Sequence, residues 1–333
     1  MNKAIGVIGA GGWGIALAKV LAEKGEKTTL WCHGQESYRE LQLTRESSAY
    51  LPGVILPGSV NITRSLADAI SGHLLIICAV PSHAVRAVMA EAASLGAGTS
   101  RIVCAAKGLE EETLKTMGEV FSDIFGASRA HGFLSGPTFA LEVARGLPAA
   151  VTVASHDEAM ARFVQETLRT PNFRVYTSRD VIGVQMGGVI KNIIAIAAGI
   201  SDGLGLGQNA RAALITRGLA EMTRLAARMG ADPLTLAGLP GLGDMVLTCS
   251  GDLSRNRQVG LAIARGQNLQ EIVAGTKTVA EGIRNTRSVF LLSRRLQVEM
   301  PIVEQMYHVL YEQKKAEEAV RDLLLRSLKA ENS

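Results

Sequence analysis

The chain opens as Lys3-Ala-Ile-Gly-Val-Ile8, turns through Gly9-Ala-Gly11-Gly-Trp-Gly14 and runs on as Ile15-Ala-Leu-Ala-Lys-Val-Leu-Ala-Glu23, closed by Gly25. An apolar run of strand length, a G-x-G-x-x-G turn and a helical pattern, in that order, form a phosphate cradle. Gly9 permits the tight turn, Gly11 lets the backbone approach a pyrophosphate, and Gly14 lets the helix pack closely on the strand. The phosphates then face the free N–H groups and the positive dipole end of the helix. The stretch predicts the first βαβ unit of a dinucleotide-binding sheet.

Working outward, residues 28–31, 74–79, 101–105, 132–135, 149–154 and 174–176 read as further strands. Their apolar character suits strands buried on both faces of a parallel sheet. Residues 1–178 are therefore expected to form a Rossmann-like, doubly wound α/β domain. Beyond Asp180 the strand signals stop. Asp232-Pro233 and Met300-Pro301 read as helix starts, Gly230 and Gly266 as helix ends, and residues 179–333 as an all-helical substrate and catalytic domain.

A chain of 333 residues, 47% apolar, is long enough for two cores. The net charge of +4 is small and its lysines and arginines are dispersed, which argues against a nucleic-acid partner. Cys32, Cys78, Cys104 and Cys249 lack paired spacing and the six histidines are scattered, so no metal site is indicated. The N-terminus shows no basic and then apolar secretory pattern, so the expected location is cytoplasmic. Residues 181–200 have the length of a membrane span, yet Gln185, Lys191, Asn192 and several glycines favour a buried core helix.

The strand after the first helix ends Leu30-Trp-Cys-His33-Gly, where an acidic residue ordinarily binds the adenosine ribose. With none present, His33 is available to a 2′-phosphate, which leans the choice toward NADP(H). A solvated loop histidine is the alternative, and the choice between NADP(H) and NAD(H) stays open. Val80-Pro-Ser-His83 and Lys107-Gly108 end two other strands at the ligand-binding edge. Lys107 either faces a ligand there or simply reaches water.

Lys191 is the only formal charge in residues 181–200. Such an amine must be paired, hydrated in a cleft or lowered in pKa, which makes it a candidate proton donor. Gly187, Gly188, Ala195, Ala198 and Gly199 share its side of a helix, leaving space for a flat ring or small substrate. The alternative is close helix packing with the lysine snorkelling outward. Asp244, between Gly243 and an apolar turn, can pair with Lys191, can cap the next helix, or can do both. Ser254-Arg-Asn-Arg257 at another helix start is either a phosphate site or a plain serine cap.

The pieces together resemble the NAD(P)-dependent glycerol-3-phosphate dehydrogenase family, bacterial type, over essentially the whole chain. The resemblance runs through residues 9–14, Ala105-Ala-Lys-Gly-Leu-Glu110, Ser135-Gly-Pro-Thr-Phe-Ala140, Ile190-Lys-Asn-Ile193, Asn209-Ala-Arg-Ala-Ala-Leu-Ile-Thr-Arg-Gly-Leu-Ala-Glu221, Gly241-Leu-Gly-Asp244, Ser254-Arg-Asn-Arg257 and Glu281-Gly282. It implies that Lys191 is the general acid/base and that Lys107, Gly136, Thr138, Lys191, Asp244, Ser254, Arg255 and Asn256 contact the substrate. It also implies that Gly12, Trp13, His33, Lys107, Ala140, Arg255, Val279 and Glu281 touch the dinucleotide, beside Gly9, Gly11 and Gly14. Ile15 departs from the family's usual threonine and is expected to face the helix packing.

The reaction so implied is the reversible reduction of dihydroxyacetone phosphate to sn-glycerol 3-phosphate with NADP(H) or NAD(H). It supplies glycerol phosphate for phospholipid synthesis, and a homodimer is compatible with it. Two rivals remain: a hydroxy-acid or acyl-CoA reductase of the same architecture, which would not require the 254–257 phosphate cap, and a non-catalytic dinucleotide sensor, which would not need an amine and a carboxylate in the cleft.

Overall fold

The computed structural model of the protein describes residues 3–274, 280–328 and 330. Strands β1 (Ala4–Ile8), β2 (Lys27–Trp31), β3 (Asn61–Thr63), β4 (Leu75–Cys78), β5 (Arg101–Cys104), β6 (Gly132–Ser135), β7 (Ala149–Ala154) and β8 (Phe173–Ser178) form one sheet in the order β3-β2-β1-β4-β5-β6-β7-β8. Helices α1 (Gly12–Glu23), α2 (Gln35–Thr44), α3 (Leu66–Ile70), α4 (Val85–Ser94), α5 (Met117–Phe125), α6 (Ala140–Ala144) and α7 (Glu158–Leu168) connect them. The central strands of the sheet are buried on both sides. Leu75 and Ile77 of β4 enter one core cluster with Ile5 and Val7, while Ile76 and Cys78 enter another with Ile102 and Cys104, as the alternation of a strand requires. That double burial is why the strands read as continuous apolar runs.

Two features depart from the expected all-parallel sheet of seven strands. β3 is an additional strand whose only buried residue is Ile62, too little apolar character to signal itself. The β6–β7 pair is antiparallel, Phe133 facing Ala154 and Ser135 facing Thr152. The intervening chain crosses no face of the sheet. Its five-residue α6 packs against α1 instead, so β7 returns in the opposite sense. β8 runs parallel to β7 and therefore ends at the amino edge of the other strands.

This reversal aims the helix that follows. α8 (Val181–Gly203) starts at the amino edge, where Asp180 caps it by accepting from Gly183 N at 2.8 Å. At 1.5 Å per residue, Lys191 lies about 15 Å further on, past the carboxyl edge where ligands bind. α9 (Gly207–Arg228), α10 (Pro233–Ala237), α11 (Asp244–Ser250), α12 (Arg255–Ala264), α13 (Leu269–Ala274), α14 (Glu281–Leu296), α15 (Pro301–Tyr311) and α16 (Ala316–Leu324) complete the helical half, with α8 in its core. Asp232 caps α10 ahead of Pro233, Pro301 opens α15, and Gly230 and Gly266 end helices in left-handed conformations. Among the described residues α8 alone is long and apolar enough to cross a membrane, but 89% of its most apolar eighteen residues are buried inside the protein.

The small-residue side of α8 is occupied by packing. A Cβ at Gly187 would lie 2.3 Å from Pro240 O, and one at Gly199 would lie 2.0 Å from Arg257 O. Gly260 of α12 meets Gly199 reciprocally, backbone against backbone. The space expected there for a ring or substrate is filled at those positions by α12 and by the turn Leu239–Gly243. Close packing buries Lys191 without covering it, and the amine does not snorkel to open solvent.

Candidate active site

The order of strands reverses between β1 and β4, and the turn after β1 sits at that switch point. Gly9 has φ +117°, and a Cβ there would press on Ala79 O at 2.8 Å. A Cβ on Gly14 would lie 1.8 Å from Gly9 O, so the helix lies directly on the turn. Gly11 faces open space, and as N-cap of α1 it lends no side chain to the first-turn N–H groups. The three glycines thus leave an uncapped cradle on one side only, which fits a pyrophosphate. Gly12 lies 3.6 Å, as a notional Cβ, from Ala140 of α6, and Trp13 packs beside Phe173. Ile15 is buried in the core, as expected.

At the same edge Lys107 follows β5, and α8 brings Lys191 beside it. Lys191 Nζ donates to Asp244 Oδ1 at 2.6 Å and to Thr248 Oγ1 at 2.8 Å. Lys107 Nζ donates to the other carboxylate oxygen at 2.6 Å and to Gly136 O at 3.1 Å. Asp244 is wholly buried and Lys191 is 8% exposed. Each ammonium carries three protons and two are engaged, so one N–H of each remains for a ligand. Gly188 makes the meeting feasible: a Cβ there would lie 3.2 Å from Lys107 Cγ and 2.8 Å from Ser135 Oγ. Burial pushes the Lys191 amine down to about 8, with Asp244 opposing the fall and Lys107 adding to it. Asp244 does not cap α11, whose N-cap is Gly243; its carboxylate bridges the two amines instead.

α12 supplies the next wall. Ser254 is its N-cap, accepting from Arg257 N at 3.2 Å, so the capping reading holds for the serine itself. The Arg257 guanidinium is held by Asp202 at 2.7 Å and Asp252 at 2.9 Å. Arg255 is exposed and forms no ion pair with a described residue. Asn256 is turned inward, donating to Asn192 Oδ1 at 2.9 Å and accepting from Gly282 N at 3.0 Å. At the start of α14, Glu281 accepts from Ser82 N at 3.0 Å, tying that helix to the loop after β4. Burial raises the Glu281 carboxyl, and the Ser82 bond, Arg255, Lys107 and Lys191 pull against the rise. Thr138 donates to Gly136 O at 3.2 Å on the loop after β6. His33 is exposed at the tip of β2, its ring 5.6 Å from that of Trp31. Val279 lies outside the described residues.

Residues 4–161 match the family described as the NAD-dependent glycerol-3-phosphate dehydrogenase N-terminus, and residues 180–321 match its C-terminus. The chain belongs to the NAD-dependent glycerol-3-phosphate dehydrogenase family. Within that family it is 53% identical to a glycerol-3-phosphate dehydrogenase [NAD(P)+] of Geobacter sp. strain M21 over 333 residues, 99% of either chain. It is 50% identical to that of Geobacter sulfurreducens, again over 99% of both. A crystal structure of glycerol-3-phosphate dehydrogenase from Coxiella burnetii superposes with a TM-score of 0.94 at 41% identity, covering 98% of this chain and 99% of that one.

One contributor to the lysine bridge does not stand out in the sequence. Thr248 donates to Asp244 O at 2.6 Å and accepts from Lys191, fixing the amine's direction. A signal for it exists: four residues after Asp244, it shares a helix face with the carboxylate.

Proposed function

We propose that the protein reduces dihydroxyacetone phosphate reversibly to sn-glycerol 3-phosphate with NADP(H) or NAD(H), supplying glycerol phosphate for phospholipid synthesis. The observation that carries this reading is the Lys107–Asp244–Lys191 bridge: two buried or half-buried amines sharing one carboxylate at the ligand edge of the sheet. When bound in the glycine cradle, the dinucleotide supplies the hydride. The remaining N–H of Lys191 points the proton that the carbonyl oxygen must gain, and an amine near 8 gives and recovers it readily at neutral pH. Reduction thus leaves Lys191 neutral, to be reprotonated from solvent. Asp244 and Thr248 hold the amine in one direction, and Lys107 adds positive charge where negative charge develops on oxygen.

The bridge carries two positive charges and one negative, so it is net positive before any substrate arrives. Arg255, exposed and in no ion pair among the described residues, extends that field for a phosphate together with Ser254 beside it; Gly136, whose carbonyl accepts from Lys107, and Thr138 belong to the same reading. A protein that only sensed the dinucleotide would gain nothing from this arrangement. The division into a dinucleotide-binding unit, residues 1–178, and a catalytic helical unit, residues 179–333, belongs to the same reading. Strands give way to helices there, between Ser178 and Val181. Cytoplasmic placement and a homodimeric state complete the proposal; light scattering reads the second directly.

The test is oxidation of NADPH or NADH on addition of dihydroxyacetone phosphate, with unphosphorylated dihydroxyacetone as the comparison. Arg255→Ala is expected to raise KM for the phosphorylated substrate by on the order of tenfold to a hundredfold, as loss of a charge-assisted contact does. Absence of turnover sinks the reaction assigned, and an unchanged KM removes Arg255 from the phosphate site.

A further inference from the structure

We propose that Arg64, at the tip of β3, reads the 2′-phosphate of the dinucleotide and gives this protein a preference for NADP(H) over NAD(H). The inference rests on the dinucleotide reading of the N-terminal cradle and adds to it the residue that decides between the two cofactors. β3 pairs with β2 so that Trp31 faces Thr63, which sets the next residue, Arg64, beside the Cys32–His33 end of β2. That end is where the adenosine ribose lies in a doubly wound sheet, and an arginine nearby is what accommodates a 2′-phosphate.

The guanidinium is held in place and left charged. Its Nη1 donates to the Gln35 side-chain oxygen, and its Nη2 donates to His33 O at 3.4 Å. Its own carbonyl accepts from Trp31 Nε1 at 3.0 Å, pinning the backbone. Both acceptors of the guanidinium are neutral. Among the described residues no carboxylate lies within ion-pair distance of Arg64, although Glu36 stands in the first turn of α2 and Asp68 of α3 accepts from Thr63. The arginine is exposed, as is His33, and no acidic side chain ends β2 to bind a ribose hydroxyl or repel a phosphate. Gly34 opens α2 without a side-chain cap, so free N–H groups face the same corner. Guanidinium, imidazole and helix N-terminus together describe a site for a dianion. A hydroxyl there would leave the charge unanswered.

Calorimetry with two fragments isolates this corner from the reaction: adenosine 2′,5′-bisphosphate and adenosine 5′-monophosphate, titrated into the full chain. The wild type is expected to favour the bisphosphate by on the order of tenfold to a hundredfold. Arg64→Gln should bring the two fragments to near-equal affinity, leave the monophosphate unchanged and leave the melting temperature unchanged, since the side chain is exposed. Gln35→Glu should act the same way by supplying Arg64 with a carboxylate. Equal affinities in the wild type, or variants that weaken both fragments alike or neither, would overturn the assignment. Titration of intact NADPH and NADH separates the two levels: if neither binds, the dinucleotide reading fails with it, whereas binding without a 2′-phosphate preference fails Arg64 alone.

Discussion

Two glycine-rich stretches, the turn at residues 9–14 and the side of α8 that carries Lys191, use the same residue for opposite ends. At the turn, Gly9 and Gly14 bring backbone onto backbone so that Gly11 can face open space. Along α8, Gly187 and Gly199 bring backbone onto backbone and neither faces open space, and the product is a buried amine. Glycine spacing tells that something approaches closely. Whether that is a ligand or another helix depends on what the fold places opposite.

The sharpest way to test the comparison is to remove what the packed side encloses. Lys191→Ala is expected to lower kcat by about a hundredfold to ten-thousandfold, the range for loss of a positioned acid. Assays at saturating dihydroxyacetone phosphate decide it, and a variant with full kcat would reduce the α8 glycines to packing alone. Next in size is Gly199→Ala, whose Cβ would sit 2.0 Å from Arg257 O. α12 must shift to admit it, at about 1–3 kcal/mol of stability, read as an earlier denaturant midpoint. KM for the substrate should rise as well, because Ser254, Arg255 and Asn256 begin that helix. Gly11→Ala is the counterpart. With φ −76° and nothing within 4 Å, it accepts a methyl without strain. Stability should stay within about 0.5 kcal/mol while dinucleotide affinity falls by on the order of tenfold, one cradle contact's worth. If Gly11→Ala destabilises and Gly199→Ala does not, the two stretches have been assigned the wrong way round.

The cradle is legible in the sequence because its parts are adjacent there: strand, turn and helix fall within residues 3–25. The α/β and all-helical halves are legible because burial of both faces of the central strands leaves short apolar runs of strand length, which give way after Ser178 to helical periodicity. The lysine bridge is only half legible. Lys191 stands out by its apolar surroundings, but its meeting with Lys107 depends on the antiparallel turn-back of β7, a property of one connection's packing that no local pattern announces. β3 escapes for a plainer reason, a single buried residue, and Arg64 escapes with it. Asn256 is a substrate contact by resemblance; in the folded chain Asn192 and Gly282 orient its amide, which leaves one of its two N–H groups for a ligand, a placement no local pattern announces.

The smallest effect concerns the state of the enclosed amine. An amine at about 8 is protonated below that pH and neutral above it, and reduction requires the protonated form. The value of kcat/KM for dihydroxyacetone phosphate should therefore be flat at lower pH and fall about tenfold per unit above the break. Oxidation of glycerol 3-phosphate requires the neutral form and should rise through the same pH, then level. Asp244 is what holds the amine up against burial and the neighbouring Lys107, so Asp244→Asn should move both breaks to lower pH while leaving their opposite senses intact. A break near 10.5, the ordinary lysine value, would mean that the packing of α8 leaves Lys191 effectively in water. An unmoved break in Asp244→Asn would mean that another group titrates, and that the closed side of α8 shelters a structural ion pair rather than the proton donor.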